Sequence, residues 1–149
     1  MNKKLQKYIN NIIGLKLEEI NLACEMIMLN FGNYKIHIQS FTRVIKNNDI
    51  LLTTLDYQSW DKKEDKNNDE WYFLEKYKKE ILNGIVIDVS LTKTNDLTIV
   101  FDNGITIETY ISNGYSHYEE EQEQWRLILK LDNDKSHDIV IYNKHIEYM

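Results

Sequence analysis

A chain of 149 residues fits one domain, and at this length folding buries roughly 70% of the surface an extended chain exposes, enough to stand without disulfides or a structural metal. The apolar fraction of 42% and aromatic fraction of 11% exclude a disordered chain, and one cysteine, Cys24, excludes an internal disulfide and fits a reducing compartment. A net charge of −6 with no basic patch argues against a nucleic-acid binder, because phosphate neutralisation supplies most of that affinity.

Leu5, Tyr8, Ile9, Ile12 and Ile13 recur at helical spacing and predict a helix over residues 3–13, closed by Gly14. Gln6, Lys7, Asn10 and Asn11 interrupt the apolar stretch of a secretory signal, and no apolar run approaches the ~20 residues of a membrane helix. The expected compartment is the cytoplasm. From Leu15 the period changes to two. Cys24, Met26 and Met28 alternate with Glu25, Ile27 and Leu29, which predicts one central strand with Cys24 as a small core residue. Gly32-Asn33 marks a hairpin turn, after which Ile36 and Ile38 share one strand face and Lys35, His37 and Gln39 the other. Asn47-Asn48-Asp49 turns the chain before Ile50-Leu51-Leu52.

Residues 61–69 form a charged loop. A second helix is expected over about 68–82, with Trp71, Leu74, Tyr77 or Lys78, and Ile81 inward, Asn67 and Glu70 as a capping box, and Glu75 spaced to pair with Lys79. Asn83-Gly84 ends it. Ile85, Ile87, Val89 and Leu91 predict one face of a strand, Leu97 to Phe101 the next, and Asp102-Asn103-Gly104 a hairpin leading to Ile105, Ile107, Thr109 and Ile111. Trp125, Leu127 and Leu129, then His137, Ile139 and Ile141, complete the pattern before a turn at Asn143-Lys144. The expected class is α+β: an antiparallel meander of about seven to nine strands with an N-terminal and one central helix.

Chemical signatures are sparse. His37, His117, His137 and His145 have no metal-ligand spacing, and the five glycines sit at turns and not in a phosphate loop. Neither a metal nor a cofactor is expected, and no catalytic residue is assigned. Of 18 basic residues only Arg43 and Arg126 are arginine. An arginine retained in a lysine-rich chain points to a planar fork of donors. The structural explanation is pairing with Asp56 or Glu123; the functional one is an anion site. Tyr110, Tyr115 and Tyr118 lie beside Glu119, Glu120, Glu121 and Glu123, a segment whose phenols could anchor a basic partner while the carboxylates steer it. The competing explanation is a solvated acidic loop.

Ile36-His37-Ile38-Gln39 followed by Arg43, then Asn103-Gly104, then Glu123-x-Trp125-Arg126-Leu127 and His137, resembles a family of small uncharacterised bacterial proteins with "L-H-I-Q-C-P-W-R", "N-G" and "E-x-W-R-L" motifs. The resemblance spans residues 12–148 and departs at Ser40-Phe41-Thr42, where the family shows Cys-Pro-Trp. It implies an α+β fold, no established activity and a frequently suspected place in toxin–immunity systems, and it carries over His37, Gln39, Arg43, Trp125, Arg126 and His137. Two functions of different class follow as expectations. The first is an immunity protein that binds a basic toxin through the tyrosine- and glutamate-rich segment. The second is a ligand-binding protein or enzyme in which His37, Gln39, Arg43, Arg126 and His137 converge in a polar pocket. A structural domain with no partner is the third.

Overall fold

A computed structural model describes residues 2–23, 26–59, 62–63, 72–114 and 121–149. Helix α1 (Lys3–Ile9) opens on Asn2, whose side chain accepts the Leu5 N–H at 2.9 Å. It tightens into a single 3₁₀ turn over Asn10–Ile12. Leu5, Ile9 and Ile12 are buried, whereas Ile13 leaves the helix in an extended conformation and is exposed, so it is not the core residue its spacing predicts. Gly14, at φ +87°, reverses the chain, and its N–H donates to the Val86 carbonyl at 2.8 Å.

Eleven strands follow among the described residues: β1 (Glu19–Ala23), β2 (Met26–Asn30), β3 (Tyr34–Ile38), β4 (Thr42–Lys46), β5 (Asp49–Thr53), β6 (Val86–Leu91), β7 (Leu97–Phe101), β8 (Ile105–Thr109), β9 (Glu123–Lys130), β10 (Ser136–Tyr142) and β11 (Ile146–Tyr148). They form two antiparallel sheets, not one meander. The order is β1-β2-β3-β9-β10-β11 in the six-stranded sheet and β5-β4-β8-β7-β6 in the five-stranded one. The second sheet is thus an insertion between β3 and β9. The single strand expected around Cys24 is a hairpin, with Ala23 opposite Met26. That connection, Cys24-Glu25, lacks turn residues, so sequence does not announce it.

Two inward rows of the six-stranded sheet are wholly apolar across its four middle strands. Leu29, Ile36, Leu127 and Ile139 form one and Ile27, Ile38, Trp125 and Ile141 the other. They share a single cluster with Val44, Val89, Leu97, Ile99 and Ile107 of the five-stranded sheet and with Leu5, Ile9 and Ile12. Phe31 stacks on Phe101 across the two sheets, centroids 6.3 Å apart. In β6 a bulge between Val86 and Asp88 inserts one residue. It flips the parity, so Val86, Val89 and Leu91 face the core while Ile87 stands 56% exposed, against the expected Ile85-Ile87-Val89-Leu91 face.

Gln124 fastens both crossings between sheets. Its backbone carbonyl accepts the Gln39 and Ser40 N–H groups at 2.8 and 3.1 Å. Its buried side chain accepts the Ser112 N–H at 2.8 Å and donates to Asn113 Oδ1 and the Gln122 carbonyl. Every polar group of this buried amide is satisfied.

The second helix is broken. A π-turn over Tyr72–Lys76 lies along β1 and is followed by a short α2 (Lys78–Ile81). Ile81 is buried and Leu74 and Tyr77 pack on the core, as their spacing predicts. Glu75 and Lys79 form no ion pair among the described residues; instead Glu80 reaches Lys46 of β4 at 3.8 Å. Cys24, the Asn67–Glu70 capping box, Trp71 and most of the charged loop lie outside the described residues. No helix among the described residues is long and apolar enough to cross a membrane.

Candidate functional site

Strand parity sends Lys35 and His37 of β3, Arg126 of β9 and Asp138 of β10 to the outer face of the six-stranded sheet. One row runs Asn21, Met28, His37, Arg126, Val140, Glu147 through six strands in register; the next includes Lys35, Ile128 and Asp138. His37 and Arg126 are therefore direct cross-strand neighbours.

Arg126 organises the centre of this face. Its Nε and Nη2 donate to the two carboxylate oxygens of Glu123 at 2.5 and 2.7 Å, and its Nη1 donates to Asp138 Oδ2 at 3.0 Å. The three side chains are only 27%, 16% and 15% exposed. Two carboxylates hold the guanidinium proton far above any accessible pH, with the Glu123 hydrogen bonds as the largest cause. Asp138 Oδ1 is buried and has no hydrogen-bond partner among the described residues. Beyond Arg126, Tyr142 stacks on His145 with centroids 4.5 Å apart, and its hydroxyl donates to Glu147 at 3.3 Å. His145 Nδ1 contacts Glu121. This end thus carries Glu121, Glu123 and Glu147, while Asp138, in the row of Lys35 and Ile128, pairs with Arg126 from the hairpin side.

The opposite end, beside the β9–β10 turn, has the reverse character. A groove of about 360 Å³ is lined by Met28, His37, Ile128, Lys35, Lys130 and Lys135, with Asp134 and Ser136 at its border. The outer face is polarised along its strands, cationic at the hairpin and anionic at the far end. Burial is the main cause that lowers the His37 pKa from 6.5, and Arg126 and Lys35 add to it, while Asp138 and Glu123 oppose them.

The His37 shift fixes a pH effect. A histidine whose folded pKa is depressed favours the folded state while neutral. Its contribution is intact above about 6.5 and declines as pH falls below that value, where the unfolded chain takes up the proton first. Stability measured by urea unfolding should fall between pH 7 and 5.5, and His37→Gln should flatten that slope. An unchanged slope would show that the decline belongs to other groups.

The remaining predicted residues lie elsewhere. Arg43 is on the outer face of the five-stranded sheet, where its Nε and Nη2 donate to Glu108 Oε2 at 3.1 and 2.9 Å. Glu108, not Asp56, is its partner; Asp56 Oδ2 accepts the Thr53 N–H. Tyr110 donates to the same Glu108 oxygen, packs against Phe41, and has its pKa raised chiefly by burial and that hydrogen bond. His137 points from β10 to the opposite side of the six-stranded sheet from His37, in line with Ile139, and tilts against Tyr8 of α1 at 6.0 Å. Gln39 lines a separate small hollow with Ser40, Phe41 and Leu55. The five residues of the expected polar pocket do not converge: the structure brings His37 and Arg126 together and separates Arg43 and His137 from them. Of the tyrosine- and glutamate-rich segment, Tyr115, Tyr118, Glu119 and Glu120 lie outside the described residues, while Glu121 and Glu123 join the anionic end.

Sequence reading put Lys35 on the face of His37 without assigning it to a site, and missed Lys130, Lys135, Asp138 and Tyr142. Lys35 shares the parity of His37, and Lys130 that of Arg126, but only the β3–β9 and β9–β10 pairings show that they share one surface. Among the described residues no group of three or more His, Cys, Asp or Glu is placed to hold a metal ion. Comparison with protein-family models, with curated proteins and with solved structures returns no match.

Proposed function

We propose that this chain is an immunity- or antitoxin-type protein of the bacterial cytoplasm that neutralises a basic protein toxin by direct binding, without catalysing a reaction. The observation that supports it most is the anionic end of the outer face, where Glu121 and Glu147 lie against His145 and Tyr142 and Glu123 pairs with Arg126. Such a surface attracts a cationic partner at long range and offers an amphipathic ring at contact. The net charge of −6 acts in the same direction, and so does the resemblance to proteins frequently suspected of a place in toxin–immunity systems. The toxin's basic active face would be occluded by docking on this end. A pocket uniting His37, Arg43 and Arg126 is not a second candidate, because Arg43 lies on the other sheet.

The test is co-purification with toxin-like proteins encoded beside this gene. The expected complex has a Kd between about 1 nM and 1 µM, with an association rate that falls steeply with salt. The double charge reversal Glu121→Lys with Glu147→Lys should abolish it. Absence of a complex with every neighbouring toxin-like product, or a complex indifferent to both salt and the double variant, would remove the proposal.

A further inference from the structure

The groove at the cationic end has no role in that proposal and differs in chemistry from the surface that carries it. Its floor comes from three adjacent strands, with Met28 of β2 opposite His37 of β3 and Ile128 of β9 opposite Lys35. Lys130 and Lys135 rise from the β9–β10 hairpin over the same hollow. Among the described residues, Lys35, Lys130 and Lys135 have no carboxylate within ion-pair distance, as holds for most of the described lysines, but these three line one groove. In a chain with 24 acidic and 18 basic residues, three cations without partners around one apolar floor form a local inversion of charge. Asp134 borders the groove without pairing to them, and Asp132 of the same turn does not line it.

We infer that this groove is a binding site for a small amphipathic monoanion: an organic acid whose apolar body lies on Met28 and Ile128 and whose carboxylate meets the lysine ammonium groups. The volume of about 360 Å³ sits at the lower end of the range for small-molecule sites. At the ~30 Å³ that a water-sized unit occupies in a liquid, it holds roughly ten non-hydrogen atoms. His37, kept neutral by its surroundings, adds a ring N–H that can donate to a carboxylate without competing for charge. A monoanion fits better than a phosphate. Lysines are separate point charges, no arginine fork lines the groove, and Asp134 at its border repels a second negative charge. The apolar floor rewards a hydrocarbon body that an inorganic ion lacks.

Octanoate, with ten non-hydrogen atoms, is the probe. In a two-dimensional amide NMR titration of the isolated chain it should cause saturable shifts at Lys35, His37, Ile128, Lys130 and Ser136, with a Kd on the order of 0.1–1 mM for a ligand this small in an open groove. Octylammonium, of the same shape and opposite charge, should leave those amides unmoved at the same concentrations. Lys35→Glu combined with Lys130→Glu should weaken octanoate by about tenfold, the combined effect expected of two exposed ion pairs replaced by repulsions. Because all three lysine ammonium groups lie at the surface, these variants should keep the core resonances of the parent. Equal binding of octylammonium, shifts confined to another region, inorganic phosphate matching octanoate in affinity, or an unaffected double variant would each overturn the assignment. The titration uses no protein partner, so its failure and the failure of the immunity proposal are separate events.

Discussion

Trp125→Ala is expected to lower the unfolding free energy by about 3–5 kcal/mol, the range for deleting a large aromatic side chain from a packed core. Trp125 is fully buried near the start of β9, between Ile38 of β3 and Ile141 of β10. Its indole Nε1 also donates to the Asn95 carbonyl at 3.0 Å. Asn95 sits at φ +68° in the turn between β6 and β7, so one side chain both fills the core and ties the inserted sheet to the sheet it interrupts. The turn is itself rigid, since Asp96 accepts from the Thr92 and Thr94 hydroxyls and from the Ile111 N–H. It has little freedom to collapse into the cavity left by the indole. For a chain of 149 residues the melting temperature should drop by about 10–15 °C. Trp125→Phe separates the two roles: it keeps most of the apolar volume, loses the hydrogen bond, and should cost about 1–3 kcal/mol. An alanine variant within about 1 kcal/mol of the parent would mean that the two sheets do not depend on this contact.

The inward faces were legible because their spacing is regular. Ile36 and Ile38, Leu97, Ile99 and Phe101, and Ile105 and Ile107 all bury the face that period-two alternation assigns. Asn-rich turns were legible for a related reason: Asn47 and Asn83 adopt positive φ, which asparagine tolerates better than most residues. What sequence hid was non-local. Nothing in β3 or β9 announces that they pair across an insertion of five strands, and this pairing makes His37 and Arg126 neighbours. The β6 bulge misled for a local reason, because Ile85 and Ile87 continue an apolar alternation that one inserted residue turns to solvent. His137 illustrates the limit of motif thinking. It belongs to the same string as His37 and Arg126, yet its parity with Ile139 puts it on the other side of the sheet, and that much could be counted from sequence alone.

Arg126→Met should cost about 2–4 kcal/mol, less than a fully buried network because some solvent reaches all three side chains. The cost arises from what is left behind. Glu123 and Asp138, 16% and 15% exposed, would keep their charges with no cation between them. Asp138 Oδ1 already lacks a hydrogen-bond partner among the described residues, so that carboxylate has little alternative solvation. Lysine is not a substitute, because one ammonium cannot meet both oxygens of Glu123 and also reach Asp138 Oδ2 with the guanidinium's planar geometry; Arg126→Lys should cost about 1–2 kcal/mol. The decisive comparison is Arg126→Met combined with Glu123→Gln and Asp138→Asn. If unpaired charge is the source of the loss, the triple variant should regain at least half of it, since removing all partners of a buried ionic group avoids the stranded charges. A triple variant no more stable than Arg126→Met would locate the loss in packing of the arginine stem over Val140 and its neighbours. The same set divides structure from recognition on this face. The triple variant discards the Glu123 and Asp138 charges but keeps Glu121 and Glu147, so a partner steered by the anionic end should bind it more weakly while the chain remains folded.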